Sequence, residues 1–323
     1  MRLQTSITSG LVLPRAQEQR RAVARERCAL HVAGAIALLA LSACGGCGAT
    51  RELRQAQAIP LPQLTDVTAR QQIVVLGQTH LESEPIDTAK ELLGGADDFT
   101  HLALEWPVSD QPAFDAYMAG NEAALIPLKQ YYSRFPTIGA ESFELLAFVR
   151  NLNRQRPERQ IRVWLIDVPQ PVRSTAEERR DQHMAERIAA AFASRNDARV
   201  LVCVGADHAA KTGTDMYPDG RGRLIDQEPL GALLRERFGN DGVALVKVLS
   251  PADRLWERMR RCRRFDSPVA LRLTPSMGEA QRLFRFYGWR PSAARSAGSE
   301  VFDYVVWWPT CRRITPLPDP SAA

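Results

Sequence analysis

Two stretches of this chain repeat one pattern, and that pattern limits what the chain can fold into. Ile73-Val74-Val75-Leu76-Gly77-Gln78-Thr79-His80 and Val200-Leu201-Val202-Cys203-Val204-Gly205-Ala206-Asp207-His208 each run apolar, turn at a glycine and end on a histidine. Short apolar runs rich in β-branched residues read as strands buried on both faces. Such strands belong to parallel sheets covered by helices. Further runs fit the same reading: His101–Trp106, Ile161–Asp167, Val243–Leu249 and Val301–Trp308. Helical patterns separate them, through 86–93, 141–154, 174–194, 229–238, 252–262 and 278–286. The expected fold is α/β, a mostly parallel central sheet with flanking helices and a helical insertion over about 107–156.

The first 43 residues stand apart from this pattern. Arg15, Arg20, Arg21, Arg25 and Arg27 precede an apolar run, His31–Leu41, that leads into Leu41-Ser42-Ala43-Cys44. A basic region, a short apolar region and small residues at a cleavage point describe a secretory signal. The run is shorter than the roughly 20 residues a spanning helix needs. Leu-Ser-Ala-Cys also resembles the lipobox of bacterial lipoproteins, which implies cleavage before Cys44 and lipidation of that cysteine with palmitate. The expected organisation is a signal over 1–43, a tether over 44–70, one α/β domain over 71–309 and a disordered tail over 310–323. The expected location is the cell envelope, held to a lipid membrane through Cys44. Gly45 after the cysteine resembles outer-membrane sorting, on the periplasmic side.

The targeting segment also carries the charge. It holds six of the 42 basic and two of the 37 acidic residues, so the remainder sits near +1. A near-neutral domain gives no electrostatic basis for nucleic-acid binding. An extracytoplasmic compartment permits disulfides and leaves a Cys262–Cys311 pair open, whereas Cys203 lies inside a strand and reads as a core thiol.

In a parallel sheet the carboxyl ends of the strands share one edge, and ligands bind there. His80, Glu105, Asp167 and His208 all fall at or just past strand ends. They form the candidate catalytic set. Gly77 and Gly205 permit a sharp turn and close backbone approach. Tyr304, beside Asp303, is a further pocket candidate. Two imidazoles and a carboxylate support three chemistries. His80, Glu105 and His208 are the ligand types of a divalent metal site with an open position. A histidine or glutamate alone serves as general base for water. An imidazole ligates haem iron. No Gly-x-Ser-x-Gly elbow and no phosphate-cradling glycine loop is present.

Taken in order, Gly77-Gln78-Thr79-His80, Leu104-Glu105, Arg180-Asp181 with Met184-Ala185, Gly205-Ala206-Asp207-His208 and Phe302-Asp303-Tyr304-Val305-Val306 resemble a known superfamily. It joins the ChaN-like haem-uptake lipoproteins, the erythromycin esterases and the Tiki/TraB metalloproteases. The resemblance spans most of 72–308 and implies a site lined by His80, Glu105 and His208. A bound cofactor would then meet His80, His208, Gly77, Gly205 and Tyr304. The superfamily's first motif usually reads Gly-Glu-x-His; here Gln78 supplies neither charge nor a strong base. The lipobox and the length of the mature chain resemble the ChaN-like branch, which implies binding of haem or an iron-related small molecule. The alternative implied is a hydrolase, esterase or peptidase, working through His80, Glu105 and His208, with or without a metal. The sequence leaves the oligomeric state open, a dimer included.

Overall fold

Side-chain alternation decides which residues face which side of the sheet. In the strand Ile73–Gln78 (β2), Val74 and Leu76 pack into one core, while Ile73 and Val75 pack into the other. In Val200–Gly205 (β5), Leu201 and Cys203 join the first core and Val200, Val202 and Val204 the second. This is the two-residue period of a strand covered on both faces. The computed structural model describes residues 48–135, 137–169, 179–194, 197–211, 214–218, 224–262, 265–277 and 301–318.

The sheet has eight strands. Besides β2 and β5 they are Ala58–Pro60 (β1), His101–Pro107 (β3), Arg162–Asp167 (β4), Val243–Val248 (β8), Val269–Arg272 (β9) and Tyr304–Trp307 (β10). Thr214–Pro218 (β6) and Leu224–Gln227 (β7) form a separate hairpin. The spatial order is β1-β9-β10-β8-β2-β5-β3-β4. Neighbours from β10 to β4 are parallel; β9 and β1 run antiparallel at one edge. The fold is therefore α/β with a mixed, mostly parallel sheet.

A short helix, Leu64–Val67 (α1), precedes β2. One face of the sheet is covered by Glu84–Gly95 (α2) and by the insertion after β3. That insertion holds Gln111–Met118 (α3), Ile126–Tyr132 (α4) and Ala140–Gln155 (α5). The other face is covered by Arg180–Ser194 (α6), Leu230–Phe238 (α7) and Arg254–Cys262 (α8), through residues such as Met184, Ile188, Leu234 and Leu255. Among the described residues, no helix is long and apolar enough to cross a membrane. Because β5 returns to lie between β2 and β3, the strand order reverses there, and such a switch point is where open α/β sheets form a crevice outside their carboxyl edge.

Two segments expected to lie outside the domain pack into it. In the stretch read as a tether, Ala58–Pro60 pairs with β9, and Leu53, Ile59, Leu61 and Leu64 are buried. Burying side chains of this size stabilises by about 1.5–3 kcal/mol each, which no spacer gains. In the stretch read as a disordered tail, the Ser83 N–H donates to the Arg312 carbonyl at 3.0 Å and the Ile314 N–H to Leu81 at 3.2 Å. Thr315 donates its N–H and hydroxyl to the Glu141 carboxylate, and Leu317 is buried. Prolines there forbid a helix but not this extended pairing. Cys311 is a free thiol rather than half of a disulfide. The Cys44 lipobox, the first residues of the helix expected over 174–194 and the helix expected over 278–286 lie outside the described residues.

Gly77 serves packing rather than ligand approach. A Cβ there would stand 2.8 Å from the Ala209 Cβ and 3.0 Å from the Ala206 Cα, so glycine lets β2 nest against the turn after β5. Gly77→Ala is expected to cost about 1–3 kcal/mol by overpacking, read as a lower urea midpoint with an unchanged slope. An unshifted midpoint would show that the turn yields freely.

Candidate active site

Each strand ending at the crevice contributes a side chain. β2 runs out into His80, β3 into Glu105, β4 into Asp167, and β5 into the turn Gly205–His208. The register of β3 against β4 slips between Leu104 and Pro107, and its pairing with β5 stops at Leu104. Glu105 thus sits in an irregular strand end, where such slips re-aim side chains. Its neighbours Leu104 and Trp106 stay in the core on the α2 side.

Charges alternate through the crevice floor. The Arg180 Nε–H donates to Asp167 Oδ1 at 2.6 Å, and its Nη2 donates to Asp167 Oδ2 at 2.6 Å and to Glu105 Oε1 at 2.7 Å. The other oxygen of Glu105 accepts the Gly205 N–H at 2.5 Å. His208 Nε2 lies 3.4 Å from Glu105 Oε1 and 3.5 Å from Arg180 Nη1. His208 Nδ1 is bonded to Asp181, whose second oxygen accepts the Leu230 N–H at 3.1 Å at the start of α7. Glu105, Asp167, Asp181 and His208 are all nearly buried, whereas Arg180 keeps about a quarter of its side chain exposed.

The network fixes protonation. Burial alone would raise the Glu105 carboxyl, but the His208 and Arg180 charges, with His80 adding, hold it well below the usual range. Burial works against charge on His208, yet Asp181 and Glu105 hold its imidazolium well above the ordinary range. Burial also pushes the neighbouring Asp207 up to about 6.

His80 differs from these residues because it is exposed. Its Nε2 would lie 2.9 Å from a Cβ built on Gly205, with Glu105 Oε2 and His208 Cδ2 each 3.5 Å from the same point. The absent side chain at Gly205 is what lets these three groups close over one spot.

The sequence-expected set therefore divides. His80, Glu105, His208 and Gly205 come together. Asp167 joins them only through Arg180, holding the guanidinium and accepting the Val168 N–H at 2.8 Å, which leaves it no role as a base. Tyr304 does not join. It opens β10 against Val246 and lines a pocket with Gln71, Arg235 and Asp303, away from the carboxyl edge. A divalent metal does not fit His80, Glu105 and His208: both His208 nitrogens face carboxylates as donors, and Arg180 occupies the charge of Glu105. Among the described residues, the donor atoms close enough to hold an ion belong to Glu82, Glu84 and Cys311 instead. Arg180 and Asp181, named in the sequence within the ordered motif but not in the candidate catalytic set, complete the site. Their signal was a charged pair at the start of a helix that follows a strand ending at the crevice.

No family model and no curated protein sequence matches the chain. Solved structures do. A mutant of the erythromycin esterase EreC in its open conformation superposes with a TM-score of 0.54 at 11% identity, covering 79% of this chain and 94% of that one. A Bacillus cereus protein superposes with a TM-score of 0.55 at 12% identity, covering 84% and 99%. The chain shares their fold. A ChaN of Campylobacter jejuni, described with cofacial haem, reaches a TM-score of 0.36 at 10% identity over 79% and 97%.

The signs of the two shifts define a pH window. The raised His208 stabilises fully below its unfolded value near 6.5, and that stabilisation is lost as pH rises through its folded value. The depressed Glu105 stabilises above its unfolded value of 4.5, and that stabilisation is lost as pH falls through its folded value. Asp181→Ala is expected to cost about 3 kcal/mol, the low end for breaking a buried pair. It should also bring the His208 titration, followed by NMR, down toward the ordinary range. A His208 titration unmoved in this variant would assign the held proton to Glu105 alone.

Proposed function

We propose that the chain is a hydrolase of esters or lactones that works through His80 and Glu105 without a metal. The observation that carries this reading is the exposed His80 imidazole set beside Glu105, whose carboxyl is held well below the usual range, above a floor of paired charges. In the reaction, His80 Nε2 takes a proton from water, and the resulting hydroxide adds to the acyl carbon. The carbon–oxygen bond to the leaving group then breaks, and the proton passes from His80 to the departing oxygen. Glu105 offsets the charge that appears on His80. The exposed part of Arg180 is the cation available to the developing oxyanion. The superposition with an erythromycin esterase supports the fold on which this chemistry is placed.

An apolar substrate body suits the surroundings. Trp106, next to Glu105, packs tilted against Tyr132 of α4, and Tyr131 and Phe135, in ring contact with Tyr132, expose large apolar surfaces. The same patch favours a second reading, a flat apolar ligand such as haem with His80 as iron ligand. We further propose, from the lipobox, that Cys44 anchors the protein to a membrane of the cell envelope. Loss of palmitate labelling in Cys44→Ser tests that placement.

Screening the purified protein against aryl esters and macrocyclic lactones tests the hydrolase reading. His80→Ala is expected to lower kcat/KM by about 100-fold or more, within the usual range for a general base. Gly205→Ala should do the same while retaining the fold, because its methyl group displaces His80. Hydrolysis that survives both substitutions overturns the assignment. A Soret shift on adding haem, lost in His80→Ala, with no hydrolysis of any ester, selects the second reading instead.

A further inference from the structure

We propose that Glu82, Glu84 and Cys311 form a binding site for one divalent transition-metal cation of borderline softness, zinc being the natural fit, separate from the His80–Glu105 site. Their donor atoms lie within 4.8 Å of one another. Bonds of about 2.0–2.3 Å to oxygen and sulfur bring tetrahedral ligands roughly 3.3–3.7 Å apart, so small side-chain rotations close the gap. Two carboxylates with one sulfur match neither a hard cation, which takes oxygen alone, nor a soft one, which prefers thiolates.

A second observation points to a missing ligand. Glu84 is 1% exposed, and its Oε2 has no hydrogen-bond partner. Its Oε1 is occupied by the Arg312 N–H at 2.7 Å. A buried carboxylate oxygen left bare costs free energy, and a cation between it and the Cys311 sulfur removes that cost. The site is also built in advance. Cys311 precedes Arg312, whose carbonyl accepts the Ser83 N–H at 3.0 Å, and Glu82 pairs with Arg313 across an antiparallel bridge. The C-terminal segment is thus pinned where its sulfur meets the two glutamates.

The surrounding charges allow a cation. Lys247 faces the cluster, but its Nζ is held 3.4 Å from Asp253. Arg312 directs one guanidinium nitrogen to Asp87 and keeps its Nε 3.5 Å from Glu84 Oε1, the oxygen its own N–H already occupies, so Glu84 Oε2 is not engaged. Arg313 is the remaining neighbouring cation. The Trp256 indole lies beside the Cys311 sulfur. On metal binding the Cys311 thiol gives its proton to solvent, and the thiolate takes the vacated place as ligand.

Cobalt(II) tests this, because a thiolate bound to cobalt absorbs in the near ultraviolet. The full-length protein, stripped with chelator, is titrated with cobalt and then zinc. One equivalent of cobalt with a sulfur-to-metal band, displaced by zinc, is expected. Cys311→Ser should abolish the band, Glu84→Gln should weaken binding at least tenfold, and His80→Ala should leave both unchanged. Circular dichroism confirms that each variant folds. A band persisting in Cys311→Ser, cobalt uptake without a sulfur band, undiminished affinity in Glu84→Gln, or no uptake at all overturns the proposal. None of these outcomes bears on ester hydrolysis, which is read separately.

Discussion

The crevice depends on one guanidinium. Glu105, Asp167 and Asp181 are buried carboxylates gathered at adjoining strand ends and the helix that follows β4. Without compensation they would repel one another and protonate rather than remain charged. Arg180 joins Asp167 to Glu105 in a fork that lysine could not reproduce, and His208 joins Glu105 to Asp181. The resulting order of signs makes a rigid floor. Within it Glu105 is held well below, and His208 well above, the usual range. The exposed His80 stands outside this pairing, and that division of labour underlies the functional reading.

Topology supplies the meeting place. A chain that laid its strands down in sequence order would have put His80 and His208 at distant points of the edge. Insertion of β5 between β2 and β3 instead seats Gly205 between the ends that carry His80 and Glu105. The backbone N–H of Gly205 then anchors Glu105, and its lack of a side chain admits His80. One glycine therefore serves both partners, through its amide on one side and its empty Cβ position on the other.

Strand ends were legible in the sequence, and with them His80, Glu105, Asp167 and His208. Apolar runs stopped by glycine or proline mark where a parallel sheet ends, and residues just past those points share an edge. Roles were less legible. The Arg180–Glu105 contact joins residues 75 apart and Asp181–His208 residues 27 apart, and no local period encodes either. Tyr304 was misplaced because the last strand begins at Tyr304 itself, three residues later than its apolar run suggests, so the ring lies at the opposite end. The edge strand β1 and its neighbour β9 are only three and four residues long, too short to show alternation. The C-terminal segment lacks periodicity altogether. Its position comes from backbone hydrogen bonds to residues 81–83 and to Glu141, which proline content alone does not forecast.

The loop between β2 and α2 belongs to both proposed sites, and this gives Gln78 a context. His80 stands two residues before Glu82, and the Glu82 N–H closes a turn onto the Thr79 carbonyl at 3.4 Å. A cation gripping Glu82, Glu84 and Cys311 would tie that turn to the C-terminal segment. The base would then be held by structure on its far side rather than by a charged partner at position 78. A carboxylate at 78 would add to a crevice whose three carboxylates already exceed its two cations, Arg180 and His208. A neutral amide leaves that balance alone. On this view Gln78 is compatible with a working site, because Glu105 already supplies the anion that His80 needs and the loop supplies its position.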